Sequence, residues 1–233
     1  QGFGLRSPLP AVPRGGRSSP RMAVSMRLLL ALPATLAAAG NTPLVTFDGA
    51  AGTTHSWKET NDPVMGGQST GTFTIANGVG IFDGNVVDVP FLKAPGFIKS
   101  QTTDSSAFPD VTYCKAIELT VKTDVAYAGY RFSLGNAHAP HGKTFAYGYK
   151  SHFVAPVGEF GTVTIPLASF TDYWDDATGE PVKTCQDDKI YCPDAETLKN
   201  LGTVSVWAEG VKGKVHLEIK SIEASGCAGV VHV

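Results

Sequence analysis

The residues able to do chemistry fall in four places. The segment "DYWDDATGE" at 172–180 brings Asp172, Asp175, Asp176 and Glu180 close together in the chain. Carboxylate oxygens at that density are ligands of the kind calcium takes, although the ordered spacing of an EF-hand loop is missing. Tyr173 and Trp174 lie inside the same segment and offer an aromatic platform for a sugar or a protein partner, or a cap folded back on the core. His138 and His141 in "NAHAPHG" are spaced to approach a metal, but Pro140 and the flanking glycines make a loop with no second ligand pair nearby, so a solvated loop is expected. Cys114, Cys185, Cys192 and Cys227 contain no C-x-x-C pair, which argues against zinc and thioredoxin chemistry. The fourth place, "NDPVMGGQST" at 61–70, has a carboxylate ahead of a proline, then adjacent glycines and small polar residues.

Motifs of common enzymes are missing. There is no G-x-x-x-x-G-K-[ST], no G-x-S-x-G and no H-E-x-x-H. "GVGIFDG" at 78–84 resembles a dinucleotide fingerprint only superficially, because it runs through a strand pattern with no helix after it to receive a pyrophosphate. No nucleophile–base pairing is visible, and the sequence reads as non-catalytic.

The elements that must position these residues begin after a leader. The first 47 residues contain no Asp, Glu or Lys but five arginines, with much Ser, Pro and Gly. Within them "MRLLLALPATLAAAG" at 26–40 has a positive start, a short apolar run interrupted by Pro33, and small residues at Ala37, Ala38 and Ala39. That is the pattern of a cleaved signal peptide, too short for a membrane span. The expected organisation is a targeting region at 1–40 and a single domain at 41–233. Without the five leader arginines the domain has 14 basic against 21 acidic residues, a net charge of −7, which disfavours a nucleic-acid partner.

The four cysteines behind a signal sequence imply disulfides. Of the three pairings, Cys185 with Cys192 closes a short polar loop, and Cys114 with Cys227 ties an early strand to the chain end.

Strand signals run along the domain: "GTFTIA", "GVGIFDGNVVDV", "KAIELTVKT", "YRFSL", "FAYGYKSHFV", "GTVTIPLASF", "TVSVWAE" and "KVHLEIKSIEA", separated by Gly-, Asn-, Asp- and Pro-rich turns. Only "PDAETLKNLG" at 193–202 reads as helix, with Asp194 as its cap and Gly202 as its stop. Many short strands and one short helix predict an all-β sandwich or jelly roll.

Within that frame "NDPVMGGQST" reads as a rigid corner. Asn61 and Asp62 form an Asx-turn, Pro63 fixes a dihedral, and Gly66 and Gly67 permit positive φ. Trp57 and Met65 are expected to pack beneath, with Gln68 and Ser69 starting the next strand. A recognition loop made of Trp57, Asn61, Asp62, Met65, Gly66, Gly67, Gln68 and Ser69 is the alternative.

"WKETNDPVMGGQSTG" at 57–71 resembles the signature of the complex I intermediate-associated protein family, the thirty-kilodalton assembly-factor type, with its Trp, Asn-Asp, Met-Gly-Gly and Ser. "GIFDGNV", "GFIKSQ", "TVTIPLASF" and "LGTVSVWAEGVKGKVHLEIKSI" follow in matching order. The resemblance implies a galactose-binding-like jelly roll used as a protein-interaction and assembly module, with relatives acting on respiratory complex I or plastid complexes. Two departures are visible: Pro95-Gly96-Phe97 replaces the usual Gly-Gly-Phe, and the Cys185–Cys192 loop looks like an addition.

Two functions follow as expectations. The first is a module that docks on protein subunits of a membrane complex without spanning the membrane. It would work in a lumen, with the Arg- and Ser-rich leader read as a transit peptide to the thylakoid; a secreted or mitochondrial location is the alternative. The second is a secreted, lectin-like carbohydrate-binding protein. No cofactor is expected: the acidic segment reads as an ordinary solvated loop, with calcium binding there as the alternative.

Overall fold

The structure is a computed structural model that describes residues 40–62, 66–104, 108–135, 148–175 and 178–228. His138, His141, Met65 and Asp176 lie outside the described residues. The described strands are β1 (Gly40–Thr46), β2 (Trp57–Asn61), β3 (Thr70–Ala76), β4 (Val79–Val86), β5 (Asp88–Val89), β6 (Ala94–Pro95) and β7 (Phe97–Thr102). They continue with β8 (Ala116–Thr123), β9 (Tyr130–Leu134), β10 (Tyr149–His152), β11 (Gly161–Pro166), β12 (Val204–Glu209) and β13 (Gly213–Cys227), with a short helix α1 (Ala195–Lys199) before β12.

Two antiparallel sheets carry the fold. A six-stranded sheet runs β11-β8-β13-β4-β3, with β1 also paired to β13, and a five-stranded sheet runs β10-β9-β12-β7-β2. The 15-residue β13 organises the first: its Gly213 to Ile219 half pairs with β4, and its other half pairs with β1. The apolar positions of "KVHLEIKSIEA" change phase between Ile219 and Ile222, and there the register against β8 shifts by a bulge, so that Val215, Leu217, Ile219, Ile222 and Ala224 all face the core. Ile117, Leu119 and Val121 of β8 join them, meeting Ile98, Tyr130, Phe132, Leu134, Val204 and Val206 from the second sheet. Each such large side chain contributes about 1.5–3 kcal/mol by leaving water. The all-β sandwich with one short helix is therefore present as expected.

Some boundaries differ from the sequence reading. "GVGIFDGNVVDV" is broken at Val87, whose N–H donates to Ser69 Oγ at 3.2 Å and whose carbonyl accepts from Gly96 N at 2.9 Å, so the residue leaves the ladder. "GTVTIPLASF" ends as a strand at Pro166 and turns through a 3₁₀ segment, Leu167–Ser169. Of "FAYGYKSHFV", Tyr149 to His152 is strand, and 145–147 lie outside the described residues. The sequence patterns did not single out β1, β2 or β7. α1 forms where expected, with the Asp194 side chain accepting from Thr197 N at 2.7 Å.

Both disulfides have the expected partners, Cys114 with Cys227 and Cys185 with Cys192. The first joins the residues ahead of β8 to the end of β13 across 113 positions of sequence. Among the described residues, no helix is long and apolar enough to cross a membrane.

Candidate functional site

Among the places that combine polar burial with exposed surface are the corner after β2 and the outer face of the five-stranded sheet.

At the corner, β2 ends on Asn61, and Asp62 N donates to Phe97 O at 3.0 Å. The Asp62 carboxyl group is buried, and glycines let it be so: a Cβ on Gly67 would lie 2.2 Å from its Cγ, and a Cβ on Gly96 would lie 1.7 Å from its Oδ2. Ser69, also buried, holds Val87, and Asn61 Nδ2 donates to Gly71 O at 3.0 Å. The corner thus ties β2, β3, β4 and β7 together. Gly96 is the residue retained in the Pro95-Gly96-Phe97 block, and it is the one that Asp62 requires.

Three details of the sequence reading change. Gly66 has φ of +77°, but Gly67 is not among the positive-φ residues; it is glycine because of the Asp62 carboxyl group rather than its own dihedral. Trp57 sits at the far end of β2 and stacks on Phe73, with ring centroids 4.5 Å apart, so it belongs to the core and not beneath the corner. Gln68 and Ser69 precede the strand, which starts at Thr70. Gln68 and Gly66 are exposed, while Asp62 and Ser69 are not, so the stretch divides into a buried tie and an exposed rim.

The outer face of the five-stranded sheet is built by alternation. Val204, Val206 and Ala208 of β12 point into the core, which sends Ser205, Trp207 and Glu209 to the other side. The same rule sends Phe97, Lys99 and Gln101 outward on β7, and the paired residues Thr60 and Lys58 outward on β2. Trp207 lies between two cations, Lys150 Nζ at 4.4 Å and Lys99 Nζ at 4.7 Å from its ring centroid, and donates Nε1–H to Ser133 Oγ at 2.8 Å. Burial, helped by the nearby Lys150 ammonium, lowers the Lys99 pKa.

The described residues of the 171–183 segment, 171–175 and 178–183, cover one half of this face. Lys150 and Thr171 exchange backbone hydrogen bonds at 2.8 and 3.0 Å, and Gly210 approaches so closely that a Cβ there would meet Thr178 O at 2.5 Å. Beneath the cover Lys150 pairs with Glu209 at 2.5 Å, and the buried Arg131 reaches up to the cover's own Glu180 at 3.3 Å. Trp174 is only 2% exposed; it stacks over Lys150 Nζ at 4.6 Å and donates Nε1–H to Thr171 O at 2.7 Å. Tyr173 stacks on Tyr191. The aromatic pair therefore closes on the protein itself. Burial, with Arg131 close by, lowers the His152 pKa to about 4, although its Nε2 lies 3.5 Å from Glu180.

Two carboxylates of the acidic loop are engaged within the protein. Glu180 faces Arg131 and His152, and Asp175 Oδ1 accepts from Thr178 N at 3.0 Å. Among the described residues these acids do not converge as a cation site; the one converging group is elsewhere, at Asp124, His216 and Glu218. Among the described residues the other half of the sheet's outer face stays open, with Lys58 exposed and Thr60, Phe97, Lys99 and Gln101 half-buried. The sequence reading missed Trp207, Lys150, Arg131 and Glu209. One signal was there: in "VSVWAE" a tryptophan shares the phase of Ser and Glu rather than that of the core residues.

Comparison with known proteins agrees with this architecture. A family 11 carbohydrate-binding module from Clostridium thermocellum, solved with a β-1,3-1,4-mixed-linked tetrasaccharide, superimposes with a TM-score of 0.51 at 15% identity, covering 82% of this chain and 98% of that one. The solution structure of CtCBM11 gives a TM-score of 0.50 at 15% identity over the same shares of the two chains. At that identity the likeness is one of fold. No curated protein matches the chain. The model of the family described as "Complex I intermediate-associated protein 30 (CIA30)" matches residues 45–191, from β1 to the edge of the Cys185–Cys192 loop. With most of its length matched, including the Asp62 corner, the chain belongs to the complex I intermediate-associated protein 30 family.

Proposed function

We propose that this chain is a non-catalytic assembly module that docks peripherally on protein subunits of a membrane complex, respiratory or photosynthetic, through the open half of its five-stranded sheet. The observation that carries this reading is the division of that face. Trp174 and Trp207, the aromatic rings there best suited to stack on a sugar, are both buried, with lysine ammonium groups on their faces. The uncovered strip presents Lys58, Thr60, Phe97, Lys99 and Gln101, a mixed apolar and basic surface suited to a protein partner. Membership of the family supports the assembly role. Paired cysteines support an oxidising compartment, and the acid-free, arginine-rich leader supports import into the thylakoid lumen and removal of residues 1–40.

The test is purification of the native protein after gentle solubilisation, alongside Lys58→Glu and Thr60→Arg variants. Identified subunits of a membrane complex should accompany the native chain and be lost from both variants, while folding is unchanged. A glycan array supplies the opposite outcome: saturable sugar binding with no accompanying subunits would replace the docking reading with a carbohydrate-binding one.

A further inference from the structure

On the other sheet, far in topology from the strip just described, His216 stands among carboxylates. It lies on β13 directly opposite Asp83 of β4, with Glu218 two residues on and Asp124 just past the end of β8. The positions alternate with the core residues Val215, Leu217 and Ile219, so His216 and Glu218 face outward from the six-stranded sheet. We infer that Asp124, His216 and Glu218 form a binding site for a borderline divalent cation of the zinc class, with Asp83 as the carboxylate that orients the imidazole.

The ring's two nitrogens have different tasks. Nδ1 donates to Asp83 Oδ1 at 2.6 Å and Nε2–H donates to Glu218 Oε1 at 3.4 Å; with Nδ1–H held by Asp83, it is the Nε2 proton that a metal would displace. A ligand histidine typically has its second nitrogen engaged by a carboxylate in this way. Nε2 in turn faces Asp124 Oδ2 and Glu218 Oε1, each at 3.4 Å, and the three ligand atoms all lie within 4.8 Å of one another. Tetrahedral ligands at zinc's usual bond lengths, near 2.1 Å, sit about 3.4 Å from each other, so two of the three edges already have the right length.

The backbone beneath is held independently of any ion. His216 O accepts from Thr123 Oγ1 at 2.6 Å and from Tyr130 OH at 2.9 Å, and both donors are fully buried. Charge also favours a cation: Asp83, Asp124 and Glu218 are answered locally by Lys122, whose Nζ lies 2.7 Å from Glu218 Oε1. That ammonium competes for one ligand atom. An imidazole with two carboxylates suits zinc, nickel or copper better than calcium or magnesium, and with three protein ligands a fourth position is left for water.

The inference is tested by titrating the full chain with Zn²⁺ alone, near neutral pH, against a chromophoric chelator. One ion should bind with a dissociation constant below about 100 µM. Asp124→Asn and His216→Gln should each weaken it at least tenfold, and Asp83→Asn should weaken it about 10–100-fold without touching the metal. Lys122→Gln should tighten it, a sign that an ordinary ion cluster does not predict. A His138→Gln/His141→Gln double variant should leave the affinity unchanged. Asp124 is exposed, so its variant reports even if His216→Gln fails to fold, and the His216 Nε2 resonance of the native chain should shift on zinc addition. Undetectable binding at about 100 µM, binding indifferent to Asp124→Asn, or a weaker affinity in Lys122→Gln would overturn the assignment.

Discussion

The Asp62 corner and the cluster beneath residues 171–183 both bury charged side chains, but by opposite means. At the corner one carboxyl group is admitted because its neighbours have no side chains: Gly67 and Gly96 leave the volume it occupies. In the cluster, full-sized residues pack on one another, with buried Lys150 on buried Glu209, buried Arg131 against the more exposed Glu180, and Trp174 and Trp207 as walls. The corner depends on shape, so it fails when atoms are added. The cluster depends on compensation, so it fails when a partner is taken away.

The largest effect is expected in the cluster. Lys150→Met leaves Glu209 buried without its ammonium and should lower stability by about 3–5 kcal/mol, measured by denaturant unfolding. Pairing it with Glu209→Gln should recover most of that loss, since no lone charge then remains.

At the corner, Gly67→Val should cost about 1–3 kcal/mol through overpacking against Asp62. A Cβ at Gly66 meets nothing within 4 Å among the described residues, so Gly66→Val carries chiefly the strain of its φ of +77°, about 1–2 kcal/mol. The two can be told apart in an Asp62→Ala background, where the cost at Gly67 should shrink and the cost at Gly66 should stay. Equal behaviour at both positions would break the contrast between space and dihedral.

Protonation probes the cluster more gently. The His152 pKa is lowered in the folded state to about 4, from an ordinary value of 6.5, so the unfolded chain takes up the proton first as pH falls. Stability should therefore decline between about pH 6.5 and pH 4 and level off below, where both states are protonated. The side chain is 40% exposed, so solvent screens the effect. His152→Gln should flatten the unfolding midpoint across that window and leave the values above it unchanged.

The smallest effect belongs to the corner's exposed rim. Gln68→Ala should change stability by less than about 0.5 kcal/mol in thermal melts, as surface substitutions do.

The two regions also differ in how far the sequence revealed them. Alternation in "GTFTIA", "YRFSL" and "TVSVWAE" located β3, β9 and β12, because one or both faces of each meet the core and the period survives. The cap at Asp194 and the cysteine pairs were legible from local chemistry. The corner was legible as a turn, since Asn-Asp-Pro and Gly-Gly punctuate the chain, but the reason for Gly67 was not: it lies in a side chain five positions earlier and in Gly96, brought close by pairing of β2 with β7. β2 itself was missed because "WKETN" carries polar residues on its inward phase, where Glu59 accepts from Phe73 N at 2.7 Å. The cluster could not be read at all. Its members come from β9, β10, β12 and the 171–183 segment, and only the strand order β10-β9-β12 makes them neighbours. The acidic loop looked like a ligand set for the same reason: Arg131, which answers Glu180, is 49 residues away.

In the proposed reading the covered half of the five-stranded sheet is structural and the open half docks; lysine acetylation of the native protein, free and alongside any membrane complex that co-purifies with it, separates these most directly. Lys58 and Lys99 on the open strip should be modified in the free protein and protected in the complex, while Lys214 and Lys220 on the six-stranded sheet should react equally in both. Protection of Lys214 and Lys220 with Lys58 left reactive would contradict that reading.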